Sequence, residues 1–139
     1  MFLHPSHVVD HLSVRRGHRV GDFGAGRGEY TFLLSPAVSD EGAVYAFDIA
    51  PDVTFQLYKE RIRGTYNNIY TLCVDLNESI PLKDELLDRA VVSNTLYALS
   101  KRDRFLDELH RTLAPYGSVL FVDWLSSFRN MGPREEEVI

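Results

Sequence analysis

The sequence predicts an α/β fold, a mainly parallel sheet of about five strands with helices on both faces. Three observations predict it. Short apolar runs alternate with amphipathic segments along the 139-residue chain, with no internal repeat, low-complexity segment or linker between them. The first run opens onto three glycines at alternate positions, Gly24, Gly26 and Gly28, before a helical pattern resumes. The next three runs end at polar residues, Asp48, Asp75 and Asn94. In a parallel sheet such ends lie along one edge, where open α/β sheets bind ligands.

Each element has its own signal. Pro5 starts a helix to about Leu12, with Val8, Val9 and Leu12 as its apolar side. Arg19 to Phe23 is the first strand. Glu29 to Leu34 continues as a helix that stops near Pro36, since proline lacks the amide the next turn needs. Ala43 to Phe47 is the second strand, ending at Asp48. Asp52 to Arg63 is a helix in which Phe55, Tyr58 and Ile62 fall at helical spacing, and Gly64 is placed to end it. Ile69 to Val74 is the third strand and Arg89 to Ser93 the fourth. Ser100 and Asp103 resemble a capping box opening a helix to about Leu113, with Phe105, Leu106, Leu109 and Leu113 on its buried side. Pro115-Tyr116-Gly117 turns the chain into a fifth strand, Ser118 to Val122, which reaches Asp123 and Trp124.

Composition narrows the class to a single domain spanning residues 1–139. The net charge of −5 argues against tight, non-specific binding of nucleic acid. The basic groups Arg15, Arg16 and Arg19, and Lys101, Arg102 and Arg104, read as solvated surface. No apolar run approaches the roughly 18 residues a membrane span needs. Met1-Phe2-Leu3 is followed at once by His4 and Pro5, so no secretory signal is expected. The lone Cys73 excludes an internal disulfide and suits a reducing cytoplasm; its apolar surroundings read it as a buried small hydrophobe.

The glycine loop, lying between a strand and a helix, is expected to offer backbone N–H groups to a carboxylate or phosphate. Asp48 lies about 20 residues on, where an acid can accept hydrogen bonds from ribose hydroxyls. Asp75 or its neighbours can take a purine amino group, and Asp22 at the loop entrance can attract an ammonium. The implied ligand is a nucleoside carrying both a cation and an anion. A dinucleotide loop reads G-x-G-x-x-G, which here places Glu29 where the last glycine belongs. A carboxylate there is costly beside a pyrophosphate.

Structural roles compete at several positions. Asp48 can cap the helix before Pro51, and Asp75 can make a turn. His7 and His11 share a helix face near His4, yet no carboxylate at helical spacing completes a metal set, so no metal is expected. That segment reads instead as a solvated or substrate-facing helix. Tyr97 and Trp124 stand near the expected mouth of the site, with core packing as the default for each.

The segment Asp22-Phe23-Gly24-Ala25-Gly26-Arg27-Gly28, with Asp48 after the second strand, resembles the class I S-adenosylmethionine-dependent methyltransferases. Val74-Asp75-Leu76 looks like their third motif. Leu109 to Val122 looks like the stretch leading into their fifth strand. Within the superfamily the chain is most similar to the ubiquinone/menaquinone-biosynthesis and arsenite-methyltransferase-like branch, which carries a segment resembling Gly132-Pro133-Arg134-Glu135-Glu136. The resemblance implies a Rossmann-like, doubly wound sheet and S-adenosylmethionine as cofactor. It implies that Gly24, Gly26 and Gly28 carry the methionine part and Asp48 the ribose. Asp75 and Leu76 would take the adenine, with Asn94 beside the donor methyl. No catalytic nucleophile is expected, because methyl transfer from a sulfonium is an in-line displacement.

The family sheet has seven strands, the last two an antiparallel pair beside the fifth. This sequence reaches Ile139 before that pair, so the fifth strand is expected to be an open edge covered by a second copy of the chain. The expected function is methyl transfer to a small-molecule acceptor in the cytoplasm. The alternative is a non-catalytic cofactor-binding or scaffold subunit. A nicotinamide-dependent oxidoreductase is disfavoured by Glu29.

Overall fold

Five apolar runs pair side by side in the computed structural model, which describes residues 4–124, 134 and 136. They are β1 (Arg19–Phe23), β2 (Ala43–Asp48), β3 (Ile69–Cys73), β4 (Leu87–Ser93) and β5 (Leu113–Val122). The sheet order is β3-β2-β1-β4-β5, and every pair is parallel. The helices are α1 (Pro5–Leu12), α2 (Thr31–Val38), α3 (Pro51–Arg63) and α4 (Arg102–Thr112). The expected α/β architecture is present. Among the described residues no helix is long and apolar enough to cross a membrane.

Alternation along each strand feeds two cores. Val20, Val44, Ile69 and Val91 meet Val8 and Leu12 of α1 and Leu34 and Val38 of α2. Leu57 of α3 closes against Ala46 on the same face. On the other face, Phe23, Phe47, Ala90 and Val92 pack with Phe105 and Leu109 of α4. Phe23 stacks on Phe47 with centroids 4.8 Å apart and meets Phe105 edge-on at 5.7 Å. These contacts fix β1 between its neighbours and so fix the loop that follows it.

Several local expectations are corrected. The second helix begins at Thr31 rather than Glu29, and it runs through Pro36 to Val38 rather than only to Leu34. Proline removes one intrahelical bond there, two residues before the helix ends at Val38. The aromatic spacing of α3 does not mark its buried side: Phe55, Tyr58 and Ile62 are exposed, and Leu57 is the buried residue. Leu106 is likewise exposed on α4. Cys73 is exposed, not buried, with its thiol toward the carbonyl of Ile49 at 3.4 Å. It is the last residue of an edge strand, so nothing on the far side covers it.

Two more differences come from tertiary contacts. Ser100 does not form a capping box; its amide and hydroxyl both donate to Asn77 Oδ1, and Lys101 is the N-cap of α4. Strand β5 starts at Leu113, ahead of the expected Ser118, because Pro115-Tyr116-Gly117 bulges within it. The register jumps from Leu87 opposite Leu113 to Arg89 opposite Ser118, with Tyr116 at φ 64° and fully exposed.

The crossover from β3 to β4 carries no helix. Leu76 and Ile80 anchor it in the core. Arg111 of α4 then satisfies its carbonyls, donating from Nη2 to Ile80 and from Nη1 to Leu82, each at 2.8 Å. Glu108 accepts from Arg111 and from the Ile80 amide, at 2.9 Å for the latter. A side-chain pair on α4 thus replaces the packing that a crossover helix supplies.

Candidate functional site

The carboxyl ends of β1, β2, β3 and β4 open onto one cleft of about 380 Å³. Its lining combines Gly24, Gly26, Arg27 and Tyr30 from the loop after β1 with Asp48 and Ile49 after β2. Asp75, Leu76 and Asn77 follow β3, and Asn94 and Thr95 follow β4. Of the eight candidate residues, Gly24, Gly26, Asp48, Asp75, Leu76 and Asn94 line it. Asp22 and Gly28 do not.

Asp22 lies under the loop and is fully buried. Its Oδ2 accepts from the Thr31 hydroxyl at 2.6 Å, which ties β1 to α2. Its Oδ1 has no hydrogen-bond partner among the described residues. Burial pushes its carboxyl up to about 6, against the Thr31 hydrogen bond that lowers it. Gly28 is also structural: a Cβ there would stand 2.6 Å from Leu57 and from Phe32.

The loop differs from expectation in one chemical respect. Four of its amides are not free for an anion. Gly24 and Ala25 donate to the Phe47 carbonyl at 2.9 and 2.8 Å, Gly26 to Asp48 Oδ2 at 3.0 Å, and Gly28 to the Ala25 carbonyl at 2.9 Å. The glycines therefore serve close approach. Gly24, at φ 79°, lets Thr95 Oγ1 come against the main chain, where a Cβ would clash. Gly26, at φ 55°, has nothing within 4 Å of its Cβ position, so the cleft floor there is bare backbone.

Asp48 both shapes the site and faces it. Besides Gly26, it accepts the Ala50 amide on Oδ1 at 3.0 Å, just ahead of α3. Asp75 likewise makes a turn, accepting the Asn77 amide at 2.9 Å while remaining exposed at the cleft rim. Asn94 is exposed with a left-handed backbone, φ 49°, and its amide donates to Val122 of β5 at 2.7 Å.

Sequence reasoning missed Thr95 and Asn77. Thr95 donates to the Ser93 carbonyl at 2.8 Å and meets Gly24 across 71 residues of chain (95 − 24). Asn77 Oδ1 gathers Ser100 and Lys101, which pins the start of α4 to the cleft wall. Both roles depend on spatial neighbours that no local spacing reveals. Tyr97 and Trp124 do not line the cleft. His4 caps α1 by accepting the Ser6 amide on Nδ1 at 3.3 Å, and His7 and His11 are exposed. Gly132, Pro133 and Glu135 lie outside the described residues.

Comparison with known proteins gives a consistent result. A methyltransferase-domain family model matches residues 21–121. The chain is 29% identical over 119 residues to a ubiquinone/menaquinone biosynthesis C-methyltransferase of Pasteurella multocida, a match covering 84% of this chain and 44% of that protein. The chain thus spans less than half the length of that curated relative. Among solved structures, it is similar to a SAM-dependent methyltransferase from Aquifex aeolicus. The TM-score is 0.87 at 31% identity, covering 97% of this chain and 71% of that one. An arsenic(III) S-adenosylmethionine methyltransferase from Chlamydomonas reinhardtii shares the fold, with a TM-score of 0.71 at 24% identity over 79% of this chain and 40% of that one. Through this domain the chain belongs to the class I S-adenosylmethionine-dependent methyltransferase superfamily.

Proposed function

We propose that the cleft binds S-adenosylmethionine and that the protein transfers its methyl group to a small-molecule acceptor. One observation carries the reading: four strand ends and a glycine-rich loop converge on a single cleft with Asp48 at its rim. The cofactor, when bound, supplies an electrophilic methyl on a sulfonium. The residues present fit such a molecule. Gly26 leaves room for a chain to lie on the backbone. The unpartnered Oδ1 of Asp22, one layer beneath, supplies negative potential under the cationic end.

In this reading Asp48 accepts the ribose hydroxyls on the lone pairs left by Gly26 and Ala50. Leu76 takes the adenine, beside Ile49 in the cleft lining, and Asp75 accepts its amino group. Gly24 and Gly26 form the floor under the methionine part, and Gly28 holds that floor against α2 and α3. Asn94, at the end of β4, lies beside the donor methyl. The chain contributes alignment and exclusion of water rather than a nucleophile.

The lone, unpaired Cys73 suits a reducing compartment such as the cytoplasm. Self-association through β5 is part of the proposal: among the described residues β5 pairs with β4 alone and exposes Phe121. Sedimentation at micromolar concentration tests it, and a pure monomer removes it. Calorimetric titration tests the cofactor. Micromolar binding of S-adenosylhomocysteine with none of NAD is expected, and the reverse preference overturns the reading.

A further inference from the structure

We infer that Asn77 is a positioning residue for the base of the cofactor: its side chain sets Leu99 as a wall of the slot that takes the purine. The inference rests on the cofactor reading above and adds a residue that acts through another. Leu76 and Asn77 line the cleft after β3, and Leu99 lines it after β4. Leu76 and Leu99 also belong to the same apolar cluster. A flat base gains from apolar side chains only where they stand at the right spacing. What fixes the spacing here is a hydrogen-bonded tie between two loops.

Local structure does not hold Leu99. It is extended, φ −82° and ψ 131°, between one short helical turn, Leu96–Ala98, and α4. Neither of these has a side-chain hydrogen bond at its N-cap, Thr95 or Lys101. Arg102 donates to the Leu96 and Tyr97 carbonyls at 2.8 and 3.0 Å, but those bonds stay within the segment. Asn77 reaches it from the loop after β3. Its Oδ1 accepts the Ser100 amide at 3.0 Å, the Ser100 hydroxyl at 3.2 Å and the Lys101 amide at 2.9 Å. Backbone amides only donate, so the oxygen of the Asn77 side chain, not its NH₂, must face the turn. The Asn77 amide in turn donates to Asp75 Oδ1 at 2.9 Å. The loop carrying Asp75 and Leu76 and the turn beside Leu99 are therefore one bonded unit. Glu78 also bridges to this turn, pairing with Lys101 at 3.6 Å and Arg104 at 3.7 Å. All three side chains are at least half exposed, and ion pairs in water hold geometry weakly. The Asn77 bonds, not the Glu78 pairs, decide where Leu99 stands.

The test uses two ligands that share the adenosine part. S-adenosylhomocysteine carries an amino-acid end, and 5′-methylthioadenosine lacks it. Both are titrated calorimetrically into the full chain and its variants. Asn77→Ala is expected to weaken both ligands by the same factor, about fivefold or more, because the effect lies at the base. Asn77→Asp keeps an acceptor for the three donors and should bind both within about twofold of the parent. Glu78→Gln should also stay within about twofold. In a Leu99→Ala background, Asn77→Ala should lose most of its effect, since the wall it positions is gone. Undiminished binding by Asn77→Ala overturns the assignment, as does a loss confined to S-adenosylhomocysteine. A loss just as large without Leu99, no rescue by Asn77→Asp, or an equal loss in Glu78→Gln also overturns it. In each of these cases the parent still binds, and the cofactor reading stands. A parent chain that binds neither ligand removes the cofactor reading and the role of Asn77 with it.

Discussion

Asp48 Oδ2 accepts the Gly26 amide at 3.0 Å, across 22 residues of chain. Its other oxygen holds the Ala50 amide at the same distance. One carboxylate therefore fixes the glycine loop, starts the chain into α3 and faces the cleft. Asp48→Asn keeps the size but turns an amide NH₂ toward one of two N–H donors. We expect a loss of about 1–3 kcal/mol in urea unfolding. We also expect binding of S-adenosylhomocysteine to weaken by about tenfold or more, read by calorimetry. Full retention of both would show that Asp48 neither fastens the loop nor meets the sugar.

Gly24 and Gly26 make a paired prediction with opposite readouts. A Cβ at Gly24 runs into Thr95 Oγ1 and comes within 3.1 Å of the Ser93 carbonyl, at a strained φ of 79°. Gly24→Ala should cost about 2–4 kcal/mol of stability. Adding Thr95→Ala should recover part of that loss, since it removes the nearest clash. Gly26→Ala meets no atom within 4 Å and carries only the cost of a left-handed alanine, about 1 kcal/mol. Its methyl enters the cleft, so ligand affinity should fall more than stability. Thermal melts and titration of the three variants distinguish the two sites.

The legible parts of this molecule are those whose signal is local. The strand ends could be read because apolar runs stop at Asp48, Asp75 and Asn94, and the cleft forms where they stop. The glycine spacing marked the loop. What was not legible depends on distant partners. The loop amides find Phe47 and Asp48 only once β1 and β2 are paired. The spacing of Phe55, Tyr58 and Ile62 marked a helix but not its buried face, because β2 and the glycine loop meet the single Leu57. Pro36 signals a nearby helix end, and the helix does end at Val38, while packing of Leu34 and Val38 carries it the last two residues past the proline. Ser100 looked like a cap until Asn77 claimed it.

Asp22 gives stability a sign with pH. Its carboxyl is pushed up to about 6 from an ordinary 3.8, first by burial. The unfolded chain therefore loses this proton before the folded one does. Stability from this group is complete below about pH 4 and is lost as pH rises through about 6. The difference corresponds to about 3 kcal/mol at most. Asp22→Asn keeps an oxygen for the Thr31 hydroxyl and removes the titration. Relative to the parent, the variant should gain stability between about pH 4 and pH 7, measured by urea unfolding at each pH. A pH-independent difference would mean that Asp22 stays ionised throughout.

Arg111 and Glu108 carry the opposite dependence. The Arg111 hydrogen bond holds the Glu108 carboxyl below its ordinary 4.5. This pair stabilises the fold above about pH 4.5, and its contribution is lost as pH falls through the lower folded value. Glu108→Gln retains an acceptor for the Ile80 amide but removes the charge that Arg111 meets. The variant should be less stable than the parent at pH 7, by about 1 kcal/mol for this partly exposed pair. That difference should shrink as the pH falls through the lowered folded value, where the parent's own carboxyl becomes protonated. Arg111→Met goes further, because it also strips the donors from the Ile80 and Leu82 carbonyls and from Asp84. It should cost about 2–3 kcal/mol at pH 7 and loosen the crossover between β3 and β4. Amide exchange can locate the damage: faster exchange at Ile80 and Leu82, with β1 and β2 unchanged, is the expected pattern. Uniform acceleration across the sheet would instead mean that Arg111 supports the fold globally and not this crossover.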